Sequence, residues 1–189
     1  AVHGTLFNHE GTKRGEEFVT RKITKGVARI KKCIDKGEKI KPIELGNIYS
    51  QRDWSDSEDF VKGVWLMLNQ EKPEDYVLAT GVTTTVRDFC SMAFSEVGIA
   101  IKWEGEGNQE KGVDLSTGKV LAEVDPNYYR PTEVDLLIGD ATKAKEKLNW
   151  QPKVTVLSLV KEMVASDVTL FKKEIHLKKG GFKSLNQYE

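Results

Sequence analysis

The sequence lacks an excess of charge of either sign. Its 189 residues include 29 Lys and Arg residues and 29 Asp and Glu residues, so the formal net charge is zero. A balanced charge gives no bulk attraction to nucleic acid or to an anionic membrane, although local basic clusters can still bind phosphate. With 39% hydrophobic and 31% charged residues, the composition is that of a globular protein.

Cysteines and long apolar runs are also scarce. Cys33 and Cys90 lie far apart and form no metal-ligand spacing with His3, His9 or His176. No apolar run approaches the roughly 20 residues that a membrane helix requires, and no signal-peptide pattern is visible. We therefore expect a reduced, cytoplasmic protein with buried thiols, no metal site and no membrane segment.

The common catalytic signatures are missing as well. The sequence contains no G-x-G-x-x-G pattern, which excludes a glycine-rich loop for dinucleotide phosphates. No Tyr is followed four residues later by Lys, so the acid/base pair of short-chain dehydrogenases is absent. No Ser–His–Asp set and no metal cluster takes their place. This chain alone therefore offers no catalytic residues.

What the sequence does contain is an alternation of short apolar strands and amphipathic helices. Such alternation predicts an α/β fold. The first residues predict a buried strand, and a capping box formed by Ser55 and Glu58 predicts a helix start. Strands are predicted at 1–7, 43–45, 76–79, 99–104 and 120–124, helices at 18–36, 86–97, 140–148 and 156–171, and mobile segments at 105–118 and 172–189.

Basic side chains recur where a predicted strand gives way to a loop or helix. Ligands of α/β proteins bind in the crevice beyond the carboxyl ends of the strands. Guanidinium groups bind phosphate oxygens as planar forks, and lysine binds them as a point charge. We therefore expect these side chains to gather around one diphosphate. They are Arg14, Arg21, Lys22, Arg52 and Arg130.

Uncharged and aromatic side chains near these junctions suggest further ligand contacts. Asn8, Asn47 and Glu133 can bond to hydroxyl groups, a base edge or a ribose, and Trp54 and Tyr129 can stack on a base. The remaining tryptophans, Trp65, Trp103 and Trp150, are assigned to core packing.

A plainer interpretation stays open for the basic residues. Arg52 adjoins Asp53 and lies near Asp56, and Arg130 lies near Asp135, so each arginine has an acidic neighbour for a surface ion pair. The first stretch likewise fits a strand, a solvated turn and an ordinary surface helix.

A series of motifs resembles one enzyme family over residues 1–171. The chain is similar to the GDP-mannose 4,6-dehydratases, which belong to the extended short-chain dehydrogenase/reductase group. FVTRKI together with YRPTEVD is specific to this family. The motifs, in family order, are LFNHE, KRGEEFVTRKI, LGN, QRDW, YVLATG, YYRPTEVDLLIGD, TKAKEKLNWQP and LVKEMVASD.

The resemblance implies the fold, the activity and a missing part. Full-length members bind NADP and convert GDP-mannose to GDP-4-keto-6-deoxymannose, and they assemble as homodimers or homotetramers. The glycine loop and the Tyr/Lys pair lie in an amino-terminal half, so this chain is expected to be the carboxyl-terminal part of a larger protein. Its fold is expected to combine late strands and a helix of a Rossmann-type sheet (1–11 and 57–84) with the smaller mixed α/β substrate-binding domain (12–56 and 85–171).

The resemblance also assigns site residues. His9 and Arg14 correspond to NADP contacts. The contacts to the GDP-sugar correspond to Asn8, Lys22, Arg52, Arg130 and Glu133, with Leu45 and Gly46 bordering the guanine.

The loop after His9 departs from the family pattern. It reads Gly11-Thr12-Lys13-Arg14-Gly15 where members have Ser-Pro-Arg-Arg-Gly, so we expect a less rigid loop with one guanidinium fewer. Family members use this loop to reach a neighbouring subunit's cofactor, so the departure bears on tetramer contacts. Two alternatives stay open: another extended-family epimerase or reductase, and a non-catalytic nucleotide-sugar-binding or assembly module.

Overall fold

Helices and short strands alternate along the protein, as the sequence predicts. The structure, a computed structural model, describes residues 1–129 and 132–182. The helices are α1 (Val19–Lys36), α2 (Ser57–Leu68), α3 (Val86–Ser95), α4 (Thr142–Leu148) and α5 (Val156–Lys179), with short 3-10 turns at Gly107–Gln109 and Pro126–Tyr128. The strands are β1 (Gly4–Leu6), β2 (Asn8–Glu10), β3 (Ile43–Leu45), β4 (Gln51–Arg52), β5 (Trp54–Asp56), β6 (Tyr76–Leu78), β7 (Thr84–Thr85), β8 (Ile101–Glu104), β9 (Lys111–Asp114), β10 (Val120–Val124) and β11 (Leu136–Leu137).

One hydrophobic core lies beneath a pair of parallel strands. β1 pairs with β6 in register Gly4↔Tyr76, and α2 is the last helix in the long connection between them. Phe60 and Met67 of α2 pack with Leu78, and α4 with the following Trp150 completes this core. Within the described residues no strand pairs with the other edge of β1.

The second core is larger and lies between three helices and a four-stranded sheet. The strand order is β3-β10-β9-β8, with β3 parallel to β10 and the other pairs antiparallel. Helices α1, α3 and α5 pack around it. The helical stripe predicted for α1 is confirmed, because Ile23, Val27 and Ile30 are fully buried in this core.

Several predicted boundaries were wrong for identifiable reasons. The first strand is not buried throughout, since Leu6 is 37% exposed beside the unpaired edge of β1. The segment predicted as a mobile loop at 105–118 contains β9, and Gly105 at a φ of 88° makes the turn that precedes it. Helix α5 continues past the predicted end at Phe171 to Lys179.

Helix caps follow ordinary side-chain chemistry. Helix α1, predicted at 18–36, begins after Phe18, which provides no side-chain cap. The cap of α2 is Asp56, which accepts a hydrogen bond from the Glu58 amide at 2.8 Å, so the capping box predicted at Ser55 is wrong. The cap of α3 is Thr85, whose Oγ1 accepts a hydrogen bond from the Asp88 amide at 3.0 Å.

Both cysteine side chains are free thiols and buried, as predicted. Burial raises the pKa of the Cys90 thiol to about 12. No helix in the described part of the chain is both long enough and apolar enough to span a bilayer. Over residues 1–129 and 132–182, no group of three or more His, Cys, Asp or Glu side chains is arranged to bind a metal ion.

Candidate functional site

Two small sheets meet at residues 51–56 and bring distant parts of the sequence together. β5 pairs in parallel with β2, in register Asn8↔Trp54. β4 lies between β11 and β7, with Arg52 opposite Leu137 and Thr84. The segments that carry Asn8, Arg52 and Glu133 therefore share one neighbourhood, although they are far apart in the sequence.

His9 and Arg14 are held by neighbours at the start of the loop. The Nδ1 of His9 lies 3.0 Å from the Phe7 carbonyl, and its ring stacks on Phe60 with centroids 5.3 Å apart. If Nδ1–H donates to this carbonyl, a neutral ring leaves Nε2 as an acceptor. The Arg14 guanidinium lies 3.4 Å above the Phe18 ring centroid, and its Nε lies 3.1 Å from Glu10.

Glu10 is the buried carboxylate behind this arginine. Thr20 Oγ1 donates to it at 2.6 Å, and Arg14 forms the ion pair. Burial raises the pKa of Glu10, and the Thr20 hydrogen bond and the Arg14 charge oppose that rise. A guanidinium anchored through its Nε has a defined orientation, which suits it to an anionic ligand.

Arg21 is not a ligand residue, contrary to the sequence prediction. Its side chain is buried, forms an ion pair with Asp167 of α5 at 2.9 Å and donates to the Thr12 carbonyl. Position 21 lies on the inward side of α1, next to the buried Thr20 and Thr24. The guanidinium therefore joins α1, α5 and the loop after His9. The loop expected to be less rigid is attached to the helix at Thr12.

Lys22 lies on the accessible side of α1. Its Nζ is 3.2 Å from the Tyr128 ring centroid, and it lines a cavity of about 380 Å³ with the basic residues Lys25, Arg29 and Lys41. Burial lowers the pKa of Lys22, and the charges of Glu44 and Asp125 oppose that shift. Among the described residues, no carboxylate forms an ion pair with Lys22.

Leu45 and Gly46 lie at the end of β3 under the turn that begins at Asp125. The Leu45 side chain is buried in the larger core, and its carbonyl accepts from the Asp125 amide at 2.7 Å. A Cβ at Gly46 would lie 2.5 Å from the Tyr128 carbonyl oxygen, which is backbone and cannot rotate away. Glycine is therefore required for this close approach. Asn47 follows, and its Oδ1 accepts from the Tyr49 amide at 3.0 Å.

Arg52 and Glu133, both predicted to bind ligand, form an ion pair with each other. Arg52 also donates to the Gln51 carbonyl at 2.9 Å. The alternative partners proposed from the sequence were wrong: Asp56 caps α2, and Asp53 accepts hydrogen bonds from the loop after β6. An ion pair at Arg52 was therefore foreseen, but its partner lies 81 residues away.

One chain segment contacts both cationic positions. Tyr128 lies under Lys22, and Glu133 binds Arg52. The predicted ligand residue Arg130 falls between them in the sequence but lies outside the described residues. Lys22 and Arg52 thus contact two residues, Tyr128 and Glu133, that are five positions apart in the sequence.

Asp53 is a buried carboxylate whose function the sequence analysis missed. It is fully buried and accepts hydrogen bonds from the Thr80 amide at 2.9 Å, from Thr80 Oγ1 at 2.5 Å and from the Gly81 amide at 2.8 Å. The Gly139 amide donates to it at 3.3 Å. Asp53 therefore fixes the ends of β4, β6 and β11. Its position between two short strands, β4 and β5, was the available signal.

Two tryptophans lie elsewhere than predicted. Trp54 does not face a ligand, because it is buried in the larger core with its ring edge-on to Phe89, centroids 5.0 Å apart. Trp65 is largely exposed on α2 instead of packed in a core. The core assignments of Trp103 and Trp150 are confirmed.

Comparisons with known proteins agree with this architecture. The model of a protein family described as GDP-mannose 4,6 dehydratase matches residues 1–163. The GDP-mannose 4,6-dehydratase of Sinorhizobium fredii is 52% identical over 169 residues, which are 89% of this chain and 47% of that protein. The human GDP-mannose 4,6 dehydratase is 49% identical over 172 residues, which are 91% of this chain and 45% of that protein. The chain thus spans about half the length of these relatives.

Solved structures support the fold alone. RMD from Pseudomonas aeruginosa, in complex with NADPH, superposes on this chain with a TM-score of 0.67 at 16% sequence identity. The match covers 88% of this chain and 47% of RMD. The dTDP-glucose 4,6-dehydratase of Bacillus anthracis, in complex with NAD, superposes with a TM-score of 0.62 at 16% sequence identity. The match covers 94% of this chain and 47% of that enzyme. At this level of identity the likeness shows a shared α/β fold, which extends over about half of each neighbour's length.

Proposed function

The chain belongs to the GDP-mannose 4,6-dehydratase family, and on this basis we propose that it is the GDP-sugar-binding part of an enzyme that converts GDP-mannose to GDP-4-keto-6-deoxymannose. The complete enzyme consists of this chain joined to an amino-terminal half that supplies the catalytic residues. The observation that carries the proposal is the pairing of Arg52 with Glu133, on the same segment that contacts Lys22.

The Arg52–Glu133 pair suits an exchange of partners on ligand binding. A diphosphate offers the guanidinium a planar arrangement of oxygens that competes with one carboxylate. When Arg52 binds the diphosphate, Glu133 is released to accept hydrogen bonds from the guanosine. Part of the cost of breaking the ion pair is returned by these new bonds, so the charged side chains are not left unpaired.

Lys22 supplies a second positive charge. Its partial burial beside the Tyr128 ring favours binding of an anion, because an anion restores the stabilisation that the ammonium group has lost from water. In the same proposal, Arg130 binds the diphosphate and Asn8 binds a sugar hydroxyl. The backbone at Leu45 and Gly46 borders the guanine. Binding energy gathered at the diphosphate then positions the hexose for reaction.

The proposed cofactor is NADP, and the residues near His9 fit its nicotinamide end. Arg14 is anchored by Glu10 and stacked on Phe18, so its guanidinium is oriented for an anionic group, and the His9 ring is fixed by Phe60. His9 and Arg14 would hold this cofactor, which would supply reversible hydride transfer with the sugar. The residues of this chain orient the two ligands and perform no proton transfer.

The proposed domain division assigns residues 1–11 and 57–84 to the cofactor-binding domain and residues 12–56 and 85–171 to the substrate-binding domain. Most of the smaller core, around β1 and β6, falls in the first domain, and the larger core falls in the second. Helix α4 and Trp150 are the exception, because the division places them in the second domain although they pack in the smaller core. We propose that the complete enzyme acts in the cytoplasm as a homodimer or homotetramer.

An assay of the complete enzyme tests the function. With GDP-mannose and NADP, we expect a GDP-4-keto-6-deoxy sugar as the product, with no net consumption of cofactor. An epimerised or a reduced sugar would instead indicate another enzyme of the extended family. Calorimetry supplies the control for nucleotide choice: GDP should bind more tightly than UDP or dTDP, and a preference for either pyrimidine nucleotide would contradict the proposal.

A further inference from the structure

A short connector joins two parts of the candidate site. It consists of residues 47–50, which follow Gly46 at the end of β3 and precede β4, the strand that carries Arg52. The guanine is proposed to lie beside Gly46, and the diphosphate is proposed to bind Arg52. Because these two residues are only six positions apart in the sequence, the shape of the connector sets the distance between the two contacts.

The main chain of the connector is attached to the first turn of α3. The Ile48 carbonyl accepts a hydrogen bond from the Arg87 amide at 2.9 Å, and the Ser50 carbonyl accepts one from the Val86 amide at 3.2 Å. The Ile48 side chain is fully buried in the larger core. Tyr49 lies between these two attachment points, and 53% of its surface is exposed.

A buried carboxylate binds the hydroxyl group of Tyr49. The hydroxyl donates to Glu110 at 2.7 Å, and Glu110 is only 2% exposed. Glu110 also forms an ion pair with Arg87 at 3.1 Å through its other oxygen, so the buried charge has a partner. The hydrogen bond to Glu110 raises the pKa of the Tyr49 hydroxyl, which therefore stays protonated and remains a donor at neutral pH.

Glu110 is itself attached to the end of the large sheet. Its carbonyl accepts a hydrogen bond from the Val124 amide at 3.1 Å, and Val124 is the partner of Leu45 in the pairing of β10 with β3. Glu110 and Leu45 therefore lie on opposite sides of Val124, because β10 lies between β3 and β9. Tyr49 reaches from the chain that follows Leu45, across the end of β10, to Glu110. The connector must break this hydrogen bond in order to shift relative to β3.

We propose that Tyr49 and Glu110 are positioning residues for the nucleotide: they fix the connector and thereby hold Gly46 and Arg52 at the separation that lets one GDP molecule contact both. The proposal rests on the proposed function, which supplies the two contacts. A ligand that bridges two contacts binds much more tightly than its separate fragments only when the contacts are held at a matching distance. A fragment that reaches a single contact does not depend on the connector in this way.

Calorimetry of the complete enzyme with GDP, guanosine and inorganic pyrophosphate tests the proposal. Tyr49→Phe removes only the hydroxyl group and should weaken GDP binding by about tenfold, because a hydrogen bond to a charged group is lost. Guanosine and pyrophosphate should bind the variant as they bind the unaltered enzyme, since each reaches one end of the connector only. Unchanged GDP binding, or an equal loss for either fragment, would overturn the proposal.

Ser91→Ala is the matched control. It removes a hydrogen bond between α3 and Trp103 Nε1, at 2.9 Å, and leaves the bond between Tyr49 and Glu110 in place. GDP should bind this variant as it binds the unaltered enzyme. A tenfold loss in the control would attribute the effect to a general loosening of α3 and would also overturn the proposal.

The same measurements separate this proposal from the proposed function. If the unaltered enzyme binds UDP more tightly than GDP, the proposed function alone is refuted. The comparison of UDP, uridine and pyrophosphate in Tyr49→Phe then decides whether the connector positions the nucleotide. If GDP is preferred but Tyr49→Phe binds it as tightly as the unaltered enzyme, the positioning role alone is refuted.

Discussion

At the scale of single residues, the buried Arg21–Asp167 pair joins helices α1 and α5. Both side chains are buried, and Thr24 Oγ1 donates to the same aspartate at 2.7 Å. Replacing Arg21 with Met leaves a buried carboxylate without its cation, which typically costs about 3–5 kcal/mol of unfolding free energy. We expect Arg21→Met to show this loss in urea unfolding of the chain.

Arg29→Met, which removes only a hydrogen bond to the Lys41 carbonyl, should cost about 1 kcal/mol. Equal urea midpoints for Arg21→Met and Arg29→Met would contradict a stabilising role for the Arg21–Asp167 pair.

Lys22 gives the candidate site a pH dependence. Burial lowers its pKa from the ordinary value of 10.5, so the neutral amine forms at a lower pH than for an exposed lysine. Only the charged form attracts phosphate, so the affinity for GDP should be full at neutral pH and fall as the pH rises through this lowered pKa. Calorimetry from about pH 7 to about pH 10 measures the fall.

Lys22→Arg is the matched variant for this experiment. Arginine stays charged over the whole range, so the decline in affinity should flatten. A decline of the same steepness in the variant would show that another group titrates, and would rule out Lys22 as its source.

At the scale of elements, the end of β3 and the turn after β10 depend on a close approach at Gly46. A Cβ there would lie 2.5 Å from the Tyr128 carbonyl oxygen, so Gly46→Ala must push the turn away from Leu45. Because Tyr128 underlies Lys22, we expect GDP affinity to fall about tenfold, a cost of about 1.4 kcal/mol. Gly112→Ala in β9 is the control, since its nearest contact would be the Ala122 Cβ at 3.3 Å. Unchanged GDP binding by Gly46→Ala would contradict the placement of the guanine beside β3.

The elements also show what the sequence was able to predict. Helix α1 was predicted because its apolar residues recur at helical spacing over a long stretch. Strands β4, β7 and β11 were missed, since each has two residues and exists only through partners far away in the sequence. For α2, nothing in the sequence indicates which apolar residues are covered, so Trp65, which is 61% exposed, was wrongly assigned to core packing.

Local sequence was less informative about the candidate site than about the helices. The family resemblance identified Arg52 and Glu133 as candidate ligand residues. Nothing in their local sequence indicates that they form an ion pair with each other. Arg21 was misassigned because charge alone does not distinguish a surface arginine from a buried one. Asp53 was missed because its hydrogen-bonding partners, Thr80, Gly81 and Gly139, come together only in the folded chain.

At the scale of the whole molecule, two hydrophobic cores hold the residues that are proposed to bind ligands. The larger core fixes α1, β3 and β10, and through them Lys22 and Gly46. The smaller core fixes α2 and the β1–β6 pair, beside the loop that carries His9 and Arg14. Residues 51–56 connect the two, since β5 pairs with β2 and β4 pairs with β11. The residues proposed to bind the two ligands are therefore held by both cores.

The central claim is that Lys22 and Arg52 bind one diphosphate, and calorimetry of GDP and guanosine binding to the complete enzyme tests it most directly. Lys22→Met and Arg52→Gln should each weaken GDP binding by about 10- to 100-fold, which is the usual effect of losing a charge-assisted hydrogen bond. Neither variant should weaken guanosine binding, because loss of Arg52 leaves Glu133 free to bind the nucleoside. The double variant should depart from additivity, because both side chains contact the same group. GDP binding as tight as that of the unaltered enzyme in either single variant, or an equal loss for guanosine, would contradict the claim.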